Sequence, residues 1–276
     1  MDTLSGHDAA RQASGFAPFE LIDGDPGAGI LLLCDHASSV VPPGYGDLGL
    51  PKREFARHIA YDIGAAGVTR RLAAKLGVPA VLSTYSRLLI DPNRGEDDPT
   101  LVMRLSDGAV VPGNAHVDVA ERARRIALFH APYHAAIDGA IDRALQAGRP
   151  PLLVSMHSFT PVWRGTARIW QVGILWDADP RLALPLIAAL GEDGSLTVGD
   201  NEPYHGALIN DCLYRHGTRR GLAHALIEIR QDLIGDEGGM ESWAERLAPI
   251  LSRLDTLPGI HDIRHYGSLT GPVDPI

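Results

Sequence analysis

The sequence predicts a single α/β domain: a mixed, mostly parallel sheet covered by helices on both faces. Two observations carry that expectation. Several short apolar runs lack the in-out alternation of a half-exposed strand, so they read as strands buried on both sides. Segments with apolar residues at helical spacing fall between them, the alternation of an α/β fold.

In chain order, the first run is 29–34 (Gly-Ile-Leu-Leu-Leu-Cys), too short and too aliphatic for a surface helix. Residues 55–76 carry apolar residues at helical spacing and stop at Gly77, a residue suited to the left-handed turn that ends a helix. A second strand is expected at 79–83. Residues 117–147 form a long Ala-rich helical stretch, interrupted at Pro132 and stopped at Gly148. Strands at 151–155, 172–175 and 223–228 complete the sheet, with helices at 181–190 and 241–254. Residues 1–20 and 260–276, rich in polar residues, Gly and Pro, read as peripheral extensions with little core of their own. No repeat or linker divides the 276 residues, so one domain spans 1–276.

Composition narrows the function. Lys and Arg total 25 against 34 Asp and Glu, a formal charge of −9, which argues against a phosphate-backbone partner and so against nucleic acid. No apolar stretch approaches the ~20 residues that a membrane helix needs. The polar first 19 residues carry no secretory pattern. Cys34 and Cys212 are too few for a disulfide framework and fit a reducing compartment, so a cytoplasmic protein is expected. Nothing in the sequence bears on oligomeric state.

Open α/β sheets bind ligands at the carboxyl ends of their strands. Reading outward from those ends gives Asp35-His36-Ala37-Ser38-Ser39, then Asp91-Pro92-Asn93-Arg94, then Met156-His157-Ser158, and then Glu228-Ile229-Arg230. Each has an ordinary structural explanation: a hydrogen-bonded His, an Asx turn, a carboxylate paired to a nearby Arg. Their convergence on one rim is what points to chemistry. Imidazole and carboxylate oxygen suit Zn²⁺, whose catalytic sites use three protein ligands and a water, and a nearby Glu can take that water's proton. His36 and His157 supply two ligands and Glu228 the base. Asp62 is the preferred third ligand, with His58 four residues earlier on the same expected helix face. Ser39 and Asp35 are the alternatives.

The blocks Asp35-His36-Ala37-Ser38, His58-Ile59-Ala60-Tyr61-Asp62, Ser86-Arg87 through Asp91-Pro92-Asn93-Arg94, Met156-His157-Ser158 and Asn201-Glu202-Pro203-Tyr204 resemble the N-formylglutamate amidohydrolase family, from about residue 32 to about 251. That family is distantly similar to zinc carboxypeptidases and aspartoacylases. The resemblance implies a phosphorylase/hydrolase-like, zinc-carboxypeptidase-like fold and one divalent metal, Zn²⁺, per chain. It also implies His36 and His157 as ligands, Asn93 and Arg94 as the pair that binds the substrate carboxylate and polarises its carbonyl, and Glu228 as base. Carboxypeptidases carry a ligand Glu where this chain has Ser39, and Asp62 is the inferred replacement.

The implied reaction is hydrolysis of the N-formyl or short N-acyl amide of an amino acid. Arg94 is expected to act in catalysis, and the guanidinium of Arg94 or Arg87 to grip the carboxylate. Asn201 and Tyr204 lie in a loop that can close over the substrate, with plain turn chemistry as the equal alternative. Competing readings are a zinc carboxypeptidase, an N-acetyl or N-succinyl amino-acid deacylase, and a catalytically silent metal- or ligand-binding protein. Other features carry less. His130 and His134 lack the Glu of a metalloprotease helix and read as capping or packing residues. Gly235, Gly238 and Gly239 read as loop; Trp163, Trp170 and Trp176 as core or pocket wall. Cys34 is too buried in apolar surroundings for a nucleophile, and no Gly-x-Ser-x-Gly elbow is present.

Overall fold

The computed structural model describes residues 15–192 and 194–276. Its strands in chain order are β1 Phe19–Ile22, β2 Ile30–Cys34, β3 Ala80–Ser83, β4 Leu105–Ser106, β5 Ala109–Val110, β6 Leu152–Phe159, β7 Val162–Trp163, β8 Thr166–Ala167, β9 Val172–Leu175, β10 Val198–Asp200 and β11 His224–Arg230. Seven of them form one sheet in the order β1-β3-β2-β6-β11-β9-β10. β3, β2, β6 and β11 run parallel, as do β9 and β10. β1 is antiparallel to β3, and β9 to β11. The expected mixed, mostly parallel sheet is therefore present. β4–β5 and β7–β8 are separate hairpins.

The helices are α1 Ala65–Leu76, α2 Val119–Arg125, α3 Ala131–Gln146, α4 Pro180–Gly191 and α5 Glu237–Leu254. Side-chain alternation along the strands assigns them to two faces. Ile30, Leu32 and Cys34 of β2 pack in one cluster with α1, α4 and α5 residues such as Leu72, Leu186 and Leu247. Leu31 and Leu33 point the other way, into a cluster with Tyr133, Ile137 and Ile141 of α3. A third cluster, around Phe129, Tyr85 and Leu89, holds the long loops on the α3 side. None of the described helices is long and apolar enough to cross a membrane.

Several expectations need correction. The helix anticipated at 55–76 begins only at Ala65, because the Asp62 N–H bonds to the His36 carbonyl and ties that segment to the loop after β2. Gly64 then turns the chain at φ +82, where a Cβ would stand 2.1 Å from the Ile234 carbonyl oxygen. Pro132 does not break the 117–147 stretch. A π turn, Ile126–His130, precedes it, and the Ala131 N–H reaches back to Ile126 O, so the chain stays helical through a residue without its own N–H. Gly238 and Gly239 belong to the first turn of α5, capped by Asp236 Oδ1 accepting from the Gly239 N–H. At the N-terminal end, residues 15–20 are no loose extension: β1 pairs along its length with β3, and Phe16 packs edge-on to Phe129. The rest of that expected extension, 1–14, lies outside the described residues. In the C-terminal segment Ile260 is buried in the core, while 261–276 forms no helix or strand.

Leu33 is fully buried on the α3 face. Leu33→Ala is expected to cost ~2–5 kcal/mol of unfolding free energy, measured by urea denaturation; a loss below half a kcal/mol would mean that this face repacks freely.

Candidate active site

β6 and β11 are longer than their neighbours. Their register places Glu228 beside His157. Residues 155 and 157 of β6, and 226 and 228 of β11, alternate onto the α3 side, where a cavity of about 360 Å³ opens. Its walls include Met103, Ser106 and Asp107 around the β4–β5 hairpin, Trp163 of β7, and the loop from Tyr204 to Leu208. That loop lies close because β9 offers Gly173 opposite Glu228: a Cβ there would be 1.9 Å from the Glu202 carbonyl oxygen.

His36, Asp62 and His157 meet on the cavity floor, with one ligand atom of each within 4.8 Å of the others. Asp62 Oδ2 is 2.8 Å from His157 Nδ1 and 3.4 Å from His36 Nδ1. Each imidazole turns its other nitrogen to a buried carboxylate. His36 Nε2 lies 2.7 Å from Asp91 Oδ1, and His157 Nε2 lies 3.0 Å from Asp35 Oδ2. Without a metal, protons on the inner nitrogens bridge to Asp62; a bound cation would displace them, leaving each ring donating from Nε2 and both Nδ1 atoms and Asp62 Oδ2 offering lone pairs to one point. This donor set fits a divalent cation.

The electrostatics agree. Burial by itself would raise the pKa of Asp62, but the charge of His36 and a hydrogen bond from His157 overcome it and hold the carboxyl low. Asp35 is likewise brought down to about 2 against the effect of burial, chiefly by its bond to His157. His157 rises well above its ordinary value because the bonds to Asp35 and Asp62 outweigh desolvation. The cluster therefore demands positive charge. Arg87 supplies some of it, with Nε and Nη2 donating to Asp91 Oδ2 at 3.1 and 2.7 Å and Nη1 3.7 Å from Asp62 Oδ1.

Glu228 differs from these carboxylates. It is buried on the cavity wall, its Oε2 has no hydrogen-bond partner, and desolvation, with Asp62 nearby, pushes its pKa up to about 7. A carboxyl poised near neutrality beside a cation-seeking cluster can take up and return a proton.

Asp62 meets the two histidines, though not for the anticipated reason. It lies before α1, and His58 is on no shared helix face; His58 Nε2 instead stands 3.4 Å from Asp107 Oδ2. Of the alternatives, Ser39 lies outside the cluster and Asp35 supports His157 from behind. Arg94 and Asn93 line the cavity. Arg94 Nη1 donates to the Asn93 carbonyl, and Asn93 Oδ1 accepts from the Cys212 N–H. Tyr204 also lines it, its hydroxyl 2.9 Å from Arg168 Nη2. Asn201 does not. Its Oδ1 accepts from the N–H groups of Trp176 and Gly206, both at 2.9 Å, so it braces the loop, and the substrate-contact reading is corrected to turn chemistry. Trp163 and Trp176 form cavity wall as expected.

Sequence reasoning missed the supporting roles of Asp91 and Asp35. The i, i+4 spacing of Arg87 and Asp91 was a usable signal for the first; nothing local marks the second. Asp211, buried in the cavity wall with a pKa raised to about 7 by desolvation, was also missed.

Because the folded state holds the Glu228 proton more tightly than the unfolded chain, its contribution to stability is full below the ordinary 4.5 and lost as pH rises through about 7. Glu228→Gln has no such loss. The Tm of metal-free Glu228→Gln relative to the native protein should therefore climb between pH 4.5 and 7.5. A difference independent of pH in thermal scans would mean that Glu228 titrates normally.

Comparison with known proteins agrees with this geometry. The chain is similar to a gene product of Agrobacterium tumefaciens of known crystal structure, with 36% identity over 86% of this chain and 94% of that one, and a TM-score of 0.80. It shares its fold with the crystal structure of N-formylglutamate amidohydrolase from Ralstonia eutropha, at 23% identity over 87% of this chain and 97% of that chain, with a TM-score of 0.66. No curated protein matches the sequence. The model of the N-formylglutamate amidohydrolase family matches residues 28–235, a span that takes in His36, Asp62, Asn93, Arg94, His157 and Glu228. The chain belongs to the N-formylglutamate amidohydrolase family and is a hydrolase of amide bonds.

Proposed function

We propose that the protein hydrolyses the N-formyl, or another short N-acyl, amide of an amino acid such as N-formylglutamate, with one divalent metal, zinc, held by His36, Asp62 and His157. The observation that carries this reading is the pairing, in one cavity, of three converging lone-pair donors with a buried Glu228 whose Oε2 has no partner. When bound, the ion supplies Lewis-acid polarisation and a lowered water pKa.

The chain's own groups account for the remaining steps. Arg94, lining the cavity and only partly exposed, pairs with a substrate carboxylate and so orders the scissile amide, with Asn93 beside it. Glu228 takes a proton from water as the new C–O bond forms, then gives it to the departing amine nitrogen as the C–N bond breaks. The Trp163 and Trp176 walls limit bulk water around the amide. Arg87, committed to Asp91, acts here by setting the charge and orientation of the His36–Asp91 pair. Tyr204, held by Arg168, closes the far side of the cavity. Two free, buried cysteines accord with a reducing cytoplasm, which we assign as the compartment.

Deformylation of N-formyl-L-glutamate should be lost on chelation and return with zinc. Turnover of N-acetyl or N-succinyl amino acids in its place would shift the acyl assignment. Metal binding without hydrolysis of any of them would favour a silent scaffold. Glu228→Gln should abolish turnover while retaining metal; normal turnover would remove Glu228 from the mechanism. Arg94→Ala removes a charge-assisted contact worth ~1.5–3 kcal/mol, about 10- to 100-fold, and should raise KM by that factor.

A further inference from the structure

Apart from the first cluster, two more imidazoles meet a thiol. His134 of α3 and His216 of the π turn Tyr214–Thr218 approach with His134 Nδ1 2.8 Å from His216 Nε2, and one ligand atom each from His134, Cys212 and His216 lies within 4.8 Å of the others. All three residues are buried.

The outer nitrogens bear on what lies between the inner ones. His216 Nδ1 is 3.0 Å from Asp138 Oδ1, an acceptor when ionised, so it carries a proton and leaves Nε2 bare in a neutral ring. His134 Nε2 is 3.1 Å from the Pro92 carbonyl oxygen, which can only accept; in the tautomer that donates to it, Nδ1 is bare. In the other neutral tautomer His134 Nε2 accepts from His130 Nε2, 3.2 Å away, and Nδ1 donates to His216 Nε2. The 2.8 Å gap between the inner nitrogens holds either the proton of a neutral N–H···N bond or a metal ion that replaces it, and the Cys212 sulfur beside them completes a three-donor set. Burial keeps both rings neutral, the form that ligates a metal, since desolvation pushes His134 well below its ordinary pKa and lowers His216 as well. The sulfur beside the pair then selects among metals, because thiolate with two imidazoles suits a thiophilic ion.

We propose that His134, Cys212 and His216 form a second, structural site for a thiophilic d¹⁰ ion of the zinc class, separate from the His36–Asp62–His157 cluster. On binding, the Cys212 S–H releases its proton to solvent and the thiolate sulfur ligates the ion. The outer bonds to Asp138 and Pro92 are the partners that orient ligating imidazoles.

The site's location gives it a role. His134 and His130 hold the carbonyls of Pro92 and Arg94, and the Cys212 N–H holds Asn93 Oδ1. An ion here fastens the segment carrying Asn93 and Arg94 to α3 and to the 212–216 turn, and it acts on the substrate only through that positioning.

The test is cobalt substitution of the full chain, refolded with excess Co²⁺ because the site is closed to solvent. The first cluster has no sulfur, so a thiolate-to-cobalt charge-transfer band in the near ultraviolet reports the second site alone. The band is expected in the native protein and in Asp62→Ala, and should be absent from Cys212→Ser. Asp138→Asn should weaken binding at this site ~10- to 100-fold. If Cys212→Ser does not fold, zinc X-ray absorption of the native protein decides, with a sulfur neighbour at ~2.3 Å expected. A folded native protein with no sulfur band and no sulfur neighbour, or a band that survives in Cys212→Ser, overturns the site and leaves a plain hydrogen bond between the rings.

Discussion

Negative charge buried at the carboxyl ends of β2, β6 and β11 is the constraint around which the rest of the structure is arranged. Asp35, Asp62 and Asp91 are each within bonding distance of an imidazole, and Arg87 is drawn in against two of them. Carboxylates removed from water at this density are tolerated only when counter-charge and hydrogen bonds meet every oxygen. The long loops supply those partners. Tyr133 of α3 and Ser155 of β6 donate to Asp35, the Asn93 N–H to Asp91, and the Ser158 N–H to Asp62. Much of the irregular chain between β3 and α2 can thus be understood as the enclosure of this cluster.

The sheet turns that constraint into a site by ending its strands at different heights. β6 and β11 are longer than their neighbours, and His157 and Glu228 lie side by side on a face otherwise filled by Leu153, Leu226 and Tyr133. Glu228 sits one strand away from the charged pairs and near Asp62 without a cation of its own, which is why it alone among the four carboxyls is driven toward neutrality. Gly173 on the adjacent strand keeps the space above it open to the 201–206 loop.

The two imidazole clusters obey one rule. Each ring sets its outer nitrogen against a fixed acceptor and turns its inner nitrogen toward a partner ring or carboxylate. They are joined through the 91–94 segment, whose Asp91 carboxylate meets His36 and whose Pro92 and Arg94 carbonyls rest on His134 and His130. Reading His130 and His134 as packing residues understated this: they support the segment that carries Arg94.

Sequence alone determined the strand-helix alternation, the identity of the central strands and the residue types at their carboxyl ends, because periodicity and chain stops are local properties. His36, His157, Glu228, Asn93 and Arg94 were legible for that reason. Asp62 was legible as a residue, but its reason was not, since it reaches the histidines through a loop bond to His36 O rather than along a helix. Local pattern also missed β1 and β10, edge strands of four and three residues that exist by pairing with a neighbour. Which nitrogen of each imidazole faces inward was decided only by the tertiary structure, as were the roles of Asp91 and Asp35 behind His36 and His157 and the bracing role of Asn201. Those outcomes depend on contacts between residues 25 to 122 positions apart, and no periodicity along the chain encodes them.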